Sequence, residues 1–129
     1  MKKIFLLAFC ILFVLTGCSQ KERPSEIPEL LEVEIRTPET INVNEEVTIE
    51  VLITQGDEKV EETTRMEFEI WKAGEEEHEM IEGENKGNGI YSITRTFQEE
   101  GEYFVISHVT ARDMHNMPKK EFTVTSNPN

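Results

Sequence analysis

The sequence predicts an all-β fold, an immunoglobulin-like antiparallel β-sandwich of about seven strands. Three observations lead there. Apolar residues recur with a period of two in almost every segment after residue 30, the alternation of a half-buried strand. Turn residues interrupt that alternation at short, regular spacing, as in a two-sheet sandwich. No window carries a helical period. About 100 residues are available, enough for one single-core domain, here 30–126.

In chain order, Leu31, Val33 and Ile35 alternate with Glu32, Glu34 and Arg36, and Pro38 closes this first strand. Val47, Ile49, Val51 and Ile53 mark a second, longer strand, followed by a turn at Gln55-Gly56-Asp57-Glu58. Met66, Phe68 and Ile70 alternate with Glu67, Glu69 and Trp71 in a third. A weak fourth runs from His78 to Glu82, and Gly83 to Gly89 reads as a loop. Tyr91, Ile93 and Phe97 mark the fifth, with Arg95 awkward on the same face. Glu99-Glu100-Gly101 turns into the sixth, Tyr103 to Ala111, and Lys120 to Thr125 is the seventh.

Glu99-x-Gly101-x-Tyr103 resembles the turn and tyrosine that open strand F of an immunoglobulin-like sandwich, where the phenol bonds back to the corner backbone. If Tyr103 points inward, so do Val105, Ser107 and Val109, and Phe104, Ile106 and His108 point outward. By the same alternation Trp71 leaves the core from the third strand. Trp71, Phe104 and Ile106 then share an outer face, which reads either as a partner-binding surface or as a patch covered by a neighbouring segment.

The amino terminus sets the expected location. Met1-Lys2-Lys3 precedes Ile4 to Leu15, twelve residues without a charge, which is shorter than the ~20 needed to span a bilayer. The run ends Leu15-Thr16-Gly17-Cys18, which resembles the lipobox of bacterial lipoprotein precursors. That resemblance implies a signal peptide at 1–17, cleavage before Cys18, and palmitate-type acylation there. Two or more acyl chains anchor stably, at roughly 0.8 kcal/mol per buried methylene. Residues 18–29, polar and holding Pro24 and Pro28, read as a flexible tether spanning roughly 20 Å. The expected location is the extracytoplasmic side of the cell membrane.

Cys10 would leave with the signal and Cys18 would carry lipid, so the expected mature domain has no thiol for a disulfide or a metal. The whole chain carries −13; losing Lys2 and Lys3 leaves 11 basic against 26 acidic residues, or −15. Such acidity excludes nucleic acid as a partner. The carboxylate runs at Glu61-Glu62, Glu75-Glu76-Glu77 and Glu99-Glu100 read as solvated flanks, since neighbours on a strand face opposite ways. With no nucleophile motif, phosphate loop or HExxH, the sequence reads as a binding protein and not an enzyme.

Chemistry concentrates after the sixth strand, in the loop Asp113-Met114-His115-Asn116-Met117-Pro118. His108 precedes His115 by seven residues, Met114 and Met117 flank His115, and His78 lies near Met80. Imidazole with thioether suits copper, sulfur favouring the cuprous ion. The plainer reading is that a strand-end histidine and loop methionines are solvated polar groups and caps over the core. Gly89-Ile90-Tyr91, Gly101-Glu102-Tyr103, His108-Val109-Thr110-Ala111-Arg112 and Met114-His115-x-Met117-Pro118 together resemble the YtkA-like domain of bacterial exported proteins, related to FixH-like domains, over roughly residues 30–125. The resemblance implies an immunoglobulin-like domain akin to copper-handling sandwiches of the bacterial envelope, with His108, Met114, His115 and Met117 as motif members and His78 at a further histidine position. Two functions follow as expectations: binding copper and delivering it to an acceptor, or contacting a membrane protein complex through Trp71, Phe104 and Ile106 without metal.

Overall fold

A computed structural model describes residues 29–126. The expected signal peptide (1–17), Cys18 and the tether up to residue 28 lie outside the described residues. The first strand, β1 (Leu31–Arg36), buries Leu31 and Ile35 and pairs antiparallel with β3 (Glu46–Gln55). Between them the chain changes sheet at Thr37-Pro38, where a residue without an N–H suits a ladder's end. The short β2 (Thr40–Asn42) then runs parallel to the last strand, β11 (Lys119–Thr125), and buries Ile41.

After β3 come β4 (Glu58–Lys59), β5 (Arg65–Lys72), β6 (Glu79–Glu82), β7 (Glu84–Gly87), β8 (Ile90–Thr96), β9 (Gly101–Ala111) and β10 (Met114–Asn116). One sheet has the order β1-β3-β8-β7, with β4 on β3; the other has β2-β11-β9-β5-β6, with β10 on β9. This is an immunoglobulin-like sandwich. The described residues form eleven strand segments, seven of them the expected ones. Two expectations are corrected. Residues Glu84–Gly87, read as loop, form β7, which returns to β8 through the Asn88-Gly89 turn with φ of 54° and 79°. The segment after β9 is not an open loop: Met114–Asn116 fold straight back on β9 as β10.

The core lies between the sheets, with Phe68 and Ile70 from β5, Val105 and Val109 from β9, and Ile49, Val51 and Ile53 from β3. Phe97, Tyr103 and Phe122 close one end as a ring cluster, with centroids 4.9–5.6 Å apart. The Tyr103 hydroxyl donates to the Glu99 carbonyl at 2.8 Å, the corner that the sequence suggested. Gly83 is where the chain passes from one sheet to the other. A Cβ there would stand 2.3 Å from the Met66 sulfur and 3.1 Å from the Phe68 ring, so a larger residue would require these core side chains to shift. Arg95 points inward between Ile93 and Phe97 and resolves the conflict by reaching the sandwich edge, where its guanidinium pairs with Glu79.

Candidate functional site

The site sits on the outer face of β5 and β9. Alternation from the buried Phe68 and Ile70 turns Glu69 and Trp71 outward, and alternation from Ser107 and Val109 turns His108 outward. The register sets Glu69 opposite Ile106 and Glu67 opposite His108, so Glu69 and His108 are diagonal neighbours across the pair. His108 Nε2 lies 2.7 Å from Glu69 Oε1. The second carboxylate oxygen lies 2.5 Å from His78 Nδ1, which the turn before β6 supplies. One carboxylate therefore joins two imidazoles. Hydrogen bonds from His78, then from His108, hold the Glu69 carboxyl below the usual carboxylate range, against the opposing effect of its partial burial.

On its other edge, His108 Nδ1 lies 3.2 Å from the Met117 sulfur. A neutral imidazole has one N–H and one lone pair. An ionised carboxylate only accepts, so in the neutral ring the hydrogen belongs on Nε2 and the lone pair of Nδ1 faces the thioether. Two electron-pair donors then face each other with no proton between them, an arrangement that a soft cation satisfies. Glu69 behind the ring is the carboxylate partner that ligating histidines ordinarily have.

The other expected residues are placed differently. His115, opposite Thr110 in the β9–β10 pair, lies on the same outer face two positions beyond His108, and its Nδ1 is bonded to the Thr110 hydroxyl at 2.9 Å. Met114, opposite the buried Ala111, turns inward against the core, with its sulfur 3.8 Å from Gln55 Nε2. So the histidine that shares a partner with His108 is His78. Among the described residues no group of three or more His, Cys, Asp or Glu side chains could hold a metal ion; His78, Glu69 and His108 are hydrogen-bonded to one another.

Trp71 stands opposite Phe104, with rings 5.3 Å apart, and stacks on His78 at 4.2 Å and 7°. Lys119 lies over both, 4.4 Å from the Phe104 ring and 5.4 Å from the Trp71 ring. The apolar patch is thus half-buried and roofed by His78 and Lys119, not bare. Sequence reasoning missed Glu69. Its outward position beside Trp71 was readable from the alternation, but its pairing with His108 needed the register.

These strands define the class, an immunoglobulin-like β-sandwich with a histidine–carboxylate–methionine cluster on one outer face. The YtkA-like family model matches residues 26–108, more than half of the chain, and the chain belongs to that family. No curated protein matches it in sequence. Among solved structures it is similar to a superoxide reductase (neelaredoxin) from Ignicoccus hospitalis, 15% identical with a TM-score of 0.51, covering 74% of this chain and 82% of that one. A single-substitution variant of the same protein gives 0.54 at 15% identity, over 81% and 87%. A CARDB domain from Pyrococcus furiosus in complex with di-metal ions is 18% identical over 78% and 90%, with a TM-score of 0.49. At these identities the likeness speaks to the fold alone.

Proposed function

We propose that this protein is a lipid-anchored extracytoplasmic lipoprotein whose YtkA-like domain binds copper, in the cuprous state, at His108 Nδ1 and the Met117 sulfur. The observation that carries the reading is the 3.2 Å approach of those two atoms, with the opposite ring nitrogen on Glu69. Copper is the metal that imidazole with thioether suits, and no cysteine lies among residues 29–126 to compete. His115 stands on the same face, opposite Thr110, and is the further imidazole that this site could recruit. Anchoring at Cys18 would hold the domain beside the membrane, where an acceptor would take the ion.

The test is a titration of the full chain with cuprous ion against a competing chelator. Near-stoichiometric binding is expected, weakened in Met117→Ala and lost in His108→Ala. Unaltered affinity in both variants would overturn the site. In the same cells, Cys18→Ser should move the protein out of the membrane fraction.

The mutual bonding of Glu69, His78 and His108 favours a second reading, a metal-free module that contacts a membrane complex through Trp71, Phe104 and Ile106. In that case Phe104→Glu would end co-purification with the partner, and histidine substitutions would leave it intact.

A further inference from the structure

The methionines among the described residues stand in different surroundings. Met66 is buried, and Met114 turns inward onto the core. Met80 and Met117 reach the surface, 44% and 61% exposed. Of these four, Met117 is the one whose sulfur faces an imidazole nitrogen, His108 Nδ1 at 3.2 Å. We propose that Met117 is a modification site, a thioether that hydrogen peroxide converts to the sulfoxide with the help of His108, and that this oxidation switches the cuprous site off. Oxidation at Met117 stands without the copper reading; the switch rests on it.

The step is an oxygen-atom transfer. A lone pair of the Met117 sulfur attacks one peroxide oxygen and the O–O bond breaks. The hydrogen on the transferred oxygen passes to the departing hydroxide, which leaves as water. Sulfur loses two electrons and the peroxide gains them. Positive charge builds on sulfur as the bond forms, and the Nδ1 lone pair faces that charge. The same lone pair accepts a hydrogen bond from the peroxide and so holds it beside the sulfur. Glu69, 2.7 Å from Nε2, keeps the ring hydrogen on the far edge and makes the ring more electron-rich. Met80, opposite Glu69 on β6, has exposure without a facing imidazole and is the internal control.

Oxidation changes what the site suits. A thioether is a soft donor, whereas the sulfoxide is a polar, chiral group that presents a hard oxygen. His108 would then lack the soft partner that favours cuprous ion. The change is reversible, because methionine sulfoxide reductases restore the thioether, one enzyme for each epimer. No cysteine lies among residues 29–126, so no thiol of the domain meets an oxidant before Met117 does.

The experiment treats the copper-free full chain with hydrogen peroxide and follows each methionine by peptide mass spectrometry. Met117 should gain an oxygen atom first, several-fold faster than Met80, with Met114 and Met66 last. His108→Phe keeps a ring beside the sulfur but removes the lone pair, and should slow Met117 to the rate of Met80. His108→Leu repeats the measurement should that variant unfold. Met80 oxidised as fast as Met117 in the unsubstituted chain would overturn the site. A Met117 rate unchanged in both His108 variants would overturn the part given to His108. The oxidised chain should bind cuprous ion as weakly as Met117→Ala does, and regain its affinity after treatment with both reductases. Peroxide should leave the affinity of Met117→Ala itself unchanged. Full cuprous affinity in the oxidised chain would overturn the switch. Absence of cuprous binding in the unsubstituted chain would instead defeat the proposed function, and the switch with it, while the oxidation rates still decide the modification site.

Discussion

The two sheets obey the same alternation, yet their outer faces differ. On the β1-β3-β8-β7 sheet the outward side chains of β1 and β3 are Glu32, Glu34, Arg36, Thr48, Glu50, Leu52 and Thr54, and the ion pairs of Arg36 with Glu34 and Glu50 join side chains 36–64% exposed. Pairs of that kind contribute about 0–1 kcal/mol and are what a solvated face needs. The outer face of β5 and β9 holds Glu69 and His108 at less than a fifth exposed, under an aromatic ledge of Trp71 and Phe104. Solubility does not call for a withdrawn carboxylate flanked by two imidazoles, with a thioether on the far side of one ring. One outer face thus carries ordinary solvated charge, and the other a hydrogen-bonded polar cluster withdrawn under aromatic rings.

That contrast predicts that neighbours on one strand will separate stability from binding. Phe68 is fully buried and Glu69, the next residue, faces outward. Phe68→Ala should cost about 3–5 kcal/mol in denaturant unfolding, because the core it fills is common to both sheets. Glu69→Gln should change stability by no more than about 1–2 kcal/mol while lowering cuprous affinity about 10–100-fold. Equal losses of stability in the two variants would mean that Glu69 is a structural bridge and that the outer faces are alike.

β9 allows the same comparison with the sign reversed. Ser107 is fully buried and its hydroxyl has no hydrogen-bond partner, whereas its neighbour His108 has Nε2 on Glu69 and Nδ1 3.2 Å from the Met117 sulfur. A buried hydroxyl without a partner costs about 1–3 kcal/mol by mutational measures. Ser107→Ala should therefore raise the unfolding midpoint, by the equivalent of about 1 kcal/mol once the lost packing is discounted, and leave metal affinity unchanged. A lowered midpoint would mean that the hydroxyl is satisfied in solution.

How much of this was readable follows from which contacts are local. β1, β3, β5, β8, β9 and β11 were legible because each buries alternate apolar side chains, and the Tyr103 corner because all its parts lie within five residues. β7 was missed because Glu84-Asn85-Lys86-Gly87 is an edge strand with nothing to bury, so no alternation marks it. β10 was missed because its turn, Arg112-Asp113, has φ of 51° and 63° without the glycine that usually announces such a hairpin. At the site, the compact His–Met block suggested that His108 and His115 meet beside a thioether; the structure sets Met117 against His108 and His115 on Thr110. Glu69 was not readable: it is one of 26 acids, and only the register of β5 on β9 distinguishes it. The inward turn of Met114 was likewise hidden until β10 was known to pair with β9.

The smallest expected effect lies where the two sheets meet at their end. Arg112, at the tip of the β9–β10 hairpin, donates from Nη1 to Gln55 and from Nη2 to Glu58, crossing from one sheet to the other. The hydrogen bond from Arg112, reinforced by its charge, holds the Glu58 carboxyl below its ordinary value of 4.5. A carboxyl with a lowered folded pKa stabilises the native state above that ordinary value, and the contribution fades as the pH falls through the folded value. The pair is exposed, so water and salt screen it. Arg112→Gln should therefore lower the unfolding midpoint slightly at neutral pH and not at all once acid has neutralised Glu58. Metal affinity should not change, since neither residue touches the cluster. A decrement that persisted in strong acid would show that Arg112 acts through the strained hairpin backbone instead of through its charge.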